Sequence, residues 1–146
     1  MGEKLREITF RLSTIPVAKG RPRFHIYRGR ILVKTPTKTA EYENLIAMKY
    51  QEASGGFKFE REAPLNVSLF FGMPIPSSTT KSRKAAMEEG VLKHIKKPDI
   101  DNLVKSVLDA LNDIAWEDDS QIIRLNIQKE YSKEPYVYIR ISENTN

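Results

Sequence analysis

Cysteine is absent from the 146 residues and histidine occurs only at His25 and His94. Neither a disulfide framework nor a cysteine- or histidine-based zinc site can therefore be assembled. Long apolar runs are missing too. Nothing approaches the roughly 20 apolar residues of a membrane span, and the first residues carry no signal-peptide pattern. The expectation is a soluble cytoplasmic protein with no membrane partner. The length suits one core, so a single domain over 1–146 is expected.

Acidic residues are missing from one long stretch. Between Arg11 and Lys38 the chain carries eight basic residues and no acid, within a formal net charge of +5. Such a block supplies salt-sensitive attraction to a polyanion; the ordinary alternative is a solvated basic face. A second basic stretch, including Lys81, Arg83, Lys84, Lys93, Lys96 and Lys97, follows the prolines Pro74 and Pro76. It is expected to be mobile, either as a flap over a bound strand or as a plain surface excursion.

The remainder reads as scaffold. Residues 8–15 alternate as a strand, and 25–27 with 31–33 flank an Arg28-Gly29 turn as a hairpin. Residues 39–51 predict a helix with Leu45, Ile46, Met48 and Tyr50 as apolar surface, ended by Ser54-Gly55-Gly56. A strand over 65–73, a short helix over 82–89 and strands over 122–131 and 136–141 follow. Helices among mostly hairpin-like strands predict an α+β single domain: a mixed, mostly antiparallel sheet packed by two main helices.

The chemistry concentrates in KKPDIDNLVKSVLDALNDIAWEDDSQ, from Lys96 to Gln121. Proline disfavours helix in its predecessor, so Pro98 marks a loop that delivers Asp99 and Asp101 to a helix start, with Asp101 at the cap. Leu103, Val104, Val107, Leu108 and Leu111 recur as a buried face, while Asp101, Lys105 and Asp109 form a separate polar stripe. Asp118 and Asp119 open the following strand. Ionised carboxylates brought within a few ångströms repel unless a cation or a shared proton offsets the charge, and hard oxygen donors select Mg²⁺ or Mn²⁺. Such a site suits phosphodiester hydrolysis, with Lys105 as a point charge on the phosphate. The competing reading is a solvated Asp–Lys–Asp ladder. Trp116 is expected to anchor the core, and Phe24 to be buried under the hairpin.

The run KPDIDNLVKSVLDAL followed by WEDDSQI, with PVAKGRPRF as a second block, closely resembles the RusA family of Holliday junction resolvases. These are small DNA endonucleases of bacterial genomes and their prophages. The resemblance spans most of the chain and implies a RusA-like fold and a Mg²⁺-dependent active site, with Mn²⁺ as a substitute. Carried over by position, Asp99, Asp101 and Asp119 are the implied metal ligands, and Lys105 completes the catalytic set. Asp118 ranks below Asp119, and Asp109 matches a commonly acidic position that would tune Lys105. Lys19, Arg21, Arg23, Lys96 and Lys97 are the candidates for gripping DNA.

The implied substrate is four-way junction DNA, nicked symmetrically by a homodimer in recombination and repair to leave 5′-phosphate and 3′-hydroxyl ends. An edge strand, 8–15 or 136–141, is the expected dimer surface. The link LNDIAW lacks the family's glycine, which leaves the geometry of the turn before Asp118 and Asp119 open. Two other readings stand beside this one: a nuclease acting on other branched DNA such as forks or flaps, and a non-catalytic binder of DNA structure.

Overall fold

The structure, a computed structural model, describes residues 5–20, 23–34 and 36–145, except for the side chains of residues 23, 25, 33 and 34. The elements in chain order are β1 (Glu7–Leu12), β2 (Arg23–Tyr27), β3 (Arg30–Lys34), α1 (Thr37–Ser54), β4 (Leu65–Pro74), α2 (Lys81–Glu88), α3 (Ile100–Leu111), a 3-10 turn (Asp119–Gln121), β5 (Ile122–Ser132) and β6 (Tyr136–Glu143). The α+β architecture expected from the sequence is what forms. A four-stranded mixed sheet runs β1-β6-β4-β5, and β2 and β3 make a separate two-stranded sheet.

Alternation along the strands dictates which face of the sheet is buried. Ile8, Phe10 and Leu12 of β1 face Ile141, Ile139 and Val137 of β6, which in turn face Val67, Leu69 and Phe71 of β4. All nine are buried, so three apolar rows cross three strands without a break. Two helices cover these rows. Tyr42, Ile46 and Tyr50 of α1 and Leu103, Val107 and Leu111 of α3 recur at helical spacing and pack into the same core. Each such fully buried side chain contributes on the order of 1.5–3 kcal/mol.

Several expectations need correction. Met48 of α1 is 62 % exposed, because Tyr42 lies on the α1 stripe that meets the core and Met48 does not. Leu108 of α3 is only partly buried, while Ser106 and Ala110 join the inner face. β5 and β6 are joined by residues 133–135 yet do not pair: β4 lies between them, parallel to β5 and antiparallel to β6. The strand over Tyr136–Glu143 is therefore interior and cannot be the dimer edge; the open edges of this sheet are β1 and β5. Phe24 is 72 % exposed rather than buried, because the β2–β3 hairpin forms a sheet of its own and also leaves Ile26 and Ile31 in solvent.

Trp116 is a core anchor as expected, completely buried behind α3. The link before it, which lacks the family's glycine, contains one residue with positive φ. Asp113 adopts φ 66°, the left-handed conformation that glycine would take most readily and that aspartate tolerates better than most residues.

Candidate active site

At the start of α3 the carboxylates are ordered differently from the expectation. Asp99, with extended backbone, is the N-cap residue, and its carbonyl accepts from the Leu103 N–H at 3.2 Å. Asp101 is not the cap but lies in the first turn, where its Oδ1 accepts from the Asn102 N–H at 2.9 Å. The position is electrostatically sound, since the unpaired N–H groups of a helix start favour anions. Neither carboxylate caps the helix with its side chain. The Asp99 Oδ2 accepts instead from Lys97 Nζ at 3.1 Å.

Residues 16–20 lie along α3. Ser106 Oγ, fully buried, donates to the Val17 carbonyl at 2.6 Å, and the Lys19 N–H donates to the Asn102 carbonyl at 2.9 Å. Lys19 Nζ then reaches Glu43 Oε1 at 2.6 Å and Asp109 Oδ2 at 3.1 Å. Partial burial opposes charge on Lys19, but the two carboxylates outweigh it and raise its pKa. The same Asp109 oxygen is 3.5 Å from Lys105 Nζ, across one helical turn. Asp109 thus holds both lysines, and Lys105 keeps a mostly exposed ammonium at 62 % side-chain exposure.

The second acidic position sits on a built turn. Asp118 Oδ2 accepts from the Ser120 N–H at 3.2 Å, and Gln121 Oε1 accepts from the Glu117 and Asp118 N–H groups at 2.9 and 3.2 Å. This is a reciprocal capping box. The hydrogen bonds from Ser120 hold the Asp118 pKa below the ordinary aspartate value. Gln121 Nε2 ties the turn to the rest of the fold by donating to the carbonyls of Glu60 and Ala63 at 2.9 and 3.0 Å. Asp118 is thereby assigned to the turn. Asp119 follows it with an exposed carboxylate that accepts no hydrogen bond from any described residue, beside a shallow depression of about 250 Å³ shared with Leu108 and Arg124.

Leu108 is one helical turn beyond Lys105 and two beyond Asp101, so Asp119 faces the end of α3 opposite to Asp99. Among the described residues, no three acidic or histidine side chains are gathered closely enough to hold a metal ion. The donor chemistry nonetheless fits a hard divalent cation. Asp99, Asp101 and Asp119 are exposed all-oxygen donors, and neither histidine nor sulfur competes among them.

The sequence of the whole chain decides what this arrangement belongs to. The family described as Endodeoxyribonuclease RusA matches residues 14–142, which takes in both blocks and every element from the hairpin to β6. The chain belongs to the RusA family. It is also similar to the uncharacterized protein YqaN of Bacillus subtilis (strain 168), at 35 % identity over 136 residues, covering 93 % of this chain and 96 % of that one. The fold described above is therefore that of a RusA endodeoxyribonuclease, and no helix among the described residues is long and apolar enough to cross a membrane.

The proposed DNA-gripping residues of this RusA chain fall into three groups. Lys96 and Lys97 are exposed beside Asp99, Lys97 at 86 %. Lys19 is only 18 % exposed and engaged by two carboxylates. Arg21 lies outside the described residues, as does the Arg23 side chain. Arg28 and Gly29, both with positive φ, form the hairpin turn, and the Arg28 guanidinium lies 5.4 Å from the Tyr27 ring centroid.

Sequence reasoning missed two residues that place the site. Lys129 sits in β5 at the inward register position opposite Phe71, between Ile127 and Tyr131. Its Nζ donates to the carbonyls of Lys96 and Pro98 at 2.9 and 3.0 Å, tying the loop that carries Asp99 to the sheet. A lone lysine in an inward row was the available signal. Gln121 was the other, and its signal was the D-x-x-Q spacing from Asp118.

Proposed function

We propose that this RusA chain is a metal-dependent Holliday junction resolvase, with Mg²⁺ as the physiological ion and Mn²⁺ as a substitute. What supports the reading is that the three aspartates and one lysine implied by the family, Asp99, Asp101, Asp119 and Lys105, are solvent-exposed on a well-buried scaffold. A protein that only bound DNA would gain nothing from exposed carboxylates facing phosphates. When bound, the divalent ion supplies charge neutralisation and lowers the pKa of a water molecule.

The chain's own residues do the rest. Asp99, Asp101 and Asp119 would hold the ion, which requires Asp119 to be drawn in from the Leu108 end of α3 when the ion binds. Lys105, kept in place by Asp109, sets an ammonium against the scissile phosphate. Lys96 and Lys97 contact the backbone next to Asp99, and Arg21 and Arg23 are proposed to extend that grip. Lys19 orders the site through Glu43 and Asp109. Phe24, exposed on a basic hairpin, is available to stack on an unpaired base at the junction centre. Two symmetric nicks require two such sites, and a two-fold homodimer matches the two-fold symmetry of the DNA.

The test is cleavage of a labelled immobile four-way junction beside duplex and single-stranded DNA, with Mg²⁺ and with EDTA. Paired nicks confined to the junction, lost in EDTA, are expected. Asp99→Asn, Asp101→Asn and Asp119→Asn should each reduce cutting at least 100-fold while leaving junction binding intact, because removing negative charge does not weaken contact with phosphate. Cutting of all three substrates would keep the chemistry and discard the junction as target. A native rate for any Asn variant would remove that residue from the ligand set.

A further inference from the structure

A cavity of about 520 Å³ opens between residues 15–18, the start of α1 and the loop over 94–98. Its interior is apolar and rich in proline rings, with Val17, Pro36, Met73, Pro98 and Tyr131 among the walls. Lys38, Lys96 and Lys97, all exposed, stand at its rim, and no carboxylate is among the described residues that line it. This volume lies within the range of about 300–1,000 Å³ usual for small-molecule sites.

The walls are held by contacts with the rest of the fold and with one another. Ser106 fixes the Val17 carbonyl, Lys129 fixes those of Lys96 and Pro98, and His94 stands edge-on to Tyr131 with ring centroids 4.9 Å apart. A site organised in advance loses less freedom on binding. The location is equally specific. Pro98 in the wall directly precedes Asp99, and Lys97 at the rim is hydrogen-bonded to the Asp99 carboxylate. Whatever enters lies within one residue of a candidate metal ligand.

A rim with three lysines against one adjoining carboxylate, that of Asp99 on Lys97, favours an anion, and a proline- and tyrosine-walled interior accepts a flat, weakly polar body. A nucleotide combines the two. Unstacking a base costs a few kcal/mol, and least where pairing is already interrupted, as it is at a branch point. We propose that this cavity receives one unstacked nucleobase of the cut strand, next to the scissile phosphate, with Lys96 and Lys97 on its backbone. The inference rests on the nuclease reading above and adds to it a base-binding site.

The full-length Asp101→Asn protein, which should bind without cutting, is titrated into four-way junctions that carry 2-aminopurine singly at each position flanking the cut mapped with the unmodified enzyme. Binding is followed in parallel by anisotropy of a distant label. A severalfold rise in 2-aminopurine fluorescence at one position is expected. In the same background, Pro76→Trp at the exposed side of the cavity and Ala18→Leu from the opposite wall should each abolish the rise while anisotropy still reports binding. If the junction binds and the unmodified enzyme cuts it but no position brightens, the pocket is wrong and the nuclease reading stands. A rise that persists in both filled variants places the unstacked base elsewhere and also overturns the pocket. Absence of both binding and cutting on every DNA removes the nuclease reading, and the pocket with it.

Discussion

His94 shows how one side chain ties the site to the fold. Burial lowers its pKa, and the charges of Lys129 and then Lys96 add to the effect, so the folded protein disfavours the imidazolium. The unfolded chain takes up that proton near pH 6.5. Stability from this residue is therefore complete above pH 6.5 and declines as the pH falls below it. Denaturant midpoints between pH 7.5 and 5.5, a window in which ordinary carboxylates stay ionised, should fall for the native chain and stay flatter for His94→Phe. Asp113 offers a second check at this scale. With φ 66°, Asp113→Gly should preserve the turn, whereas Asp113→Val should destabilise the protein by about 1–2 kcal/mol, because a β-branched side chain clashes in the left-handed conformation. Equal melting of the two variants would remove that account of the missing glycine.

The 3-10 turn and α3 are the elements that set the site. α3 carries its own instructions: an apolar face against the core and a charged stripe against solvent, both written at helical spacing. The turn depends on Gln121, whose amide satisfies two N–H groups within the turn and two carbonyls outside it. Gln121→Leu should cost about 1–3 kcal/mol in chemical denaturation, at about 1 kcal/mol net per hydrogen bond with allowance for exposure. Cleavage should fall at least tenfold while junction binding is retained, because Asp119 loses its position rather than its charge. Gln121→Glu keeps the acceptor oxygen and should recover part of both losses. Unchanged cleavage in Gln121→Leu would show that Asp119 is placed by other means.

For the whole molecule, the sheet leaves two open edges, β1 and β5, and β5 also exposes Ile123 at 58 % and Leu125 at 40 %. Open edges with exposed apolar side chains invite pairing with another chain. The homodimer proposed here should appear as twice the 16.8 kDa chain mass by size exclusion with light scattering at micromolar concentration. A monomer under those conditions would count heavily against paired nicking by one particle.

The sequence by itself determined the family, the α+β class and the amphipathic helix, and it supplied the three aspartates and one lysine proposed for the site. Those properties are local, since they depend on spacing along one helix, on alternation within one strand and on the order of two blocks. Tertiary structure alone decided that β4 separates β5 from β6, that Phe24 stands in solvent, that Lys19 and Lys105 share one Asp109 oxygen, and that Lys129 holds the loop before Asp99. Each of these joins residues distant in the chain or concerns what covers a side chain. Strand order is settled by which apolar rows can pass under two helices, and the partners of a long lysine by which carbonyls and carboxylates the folded chain brings within its reach.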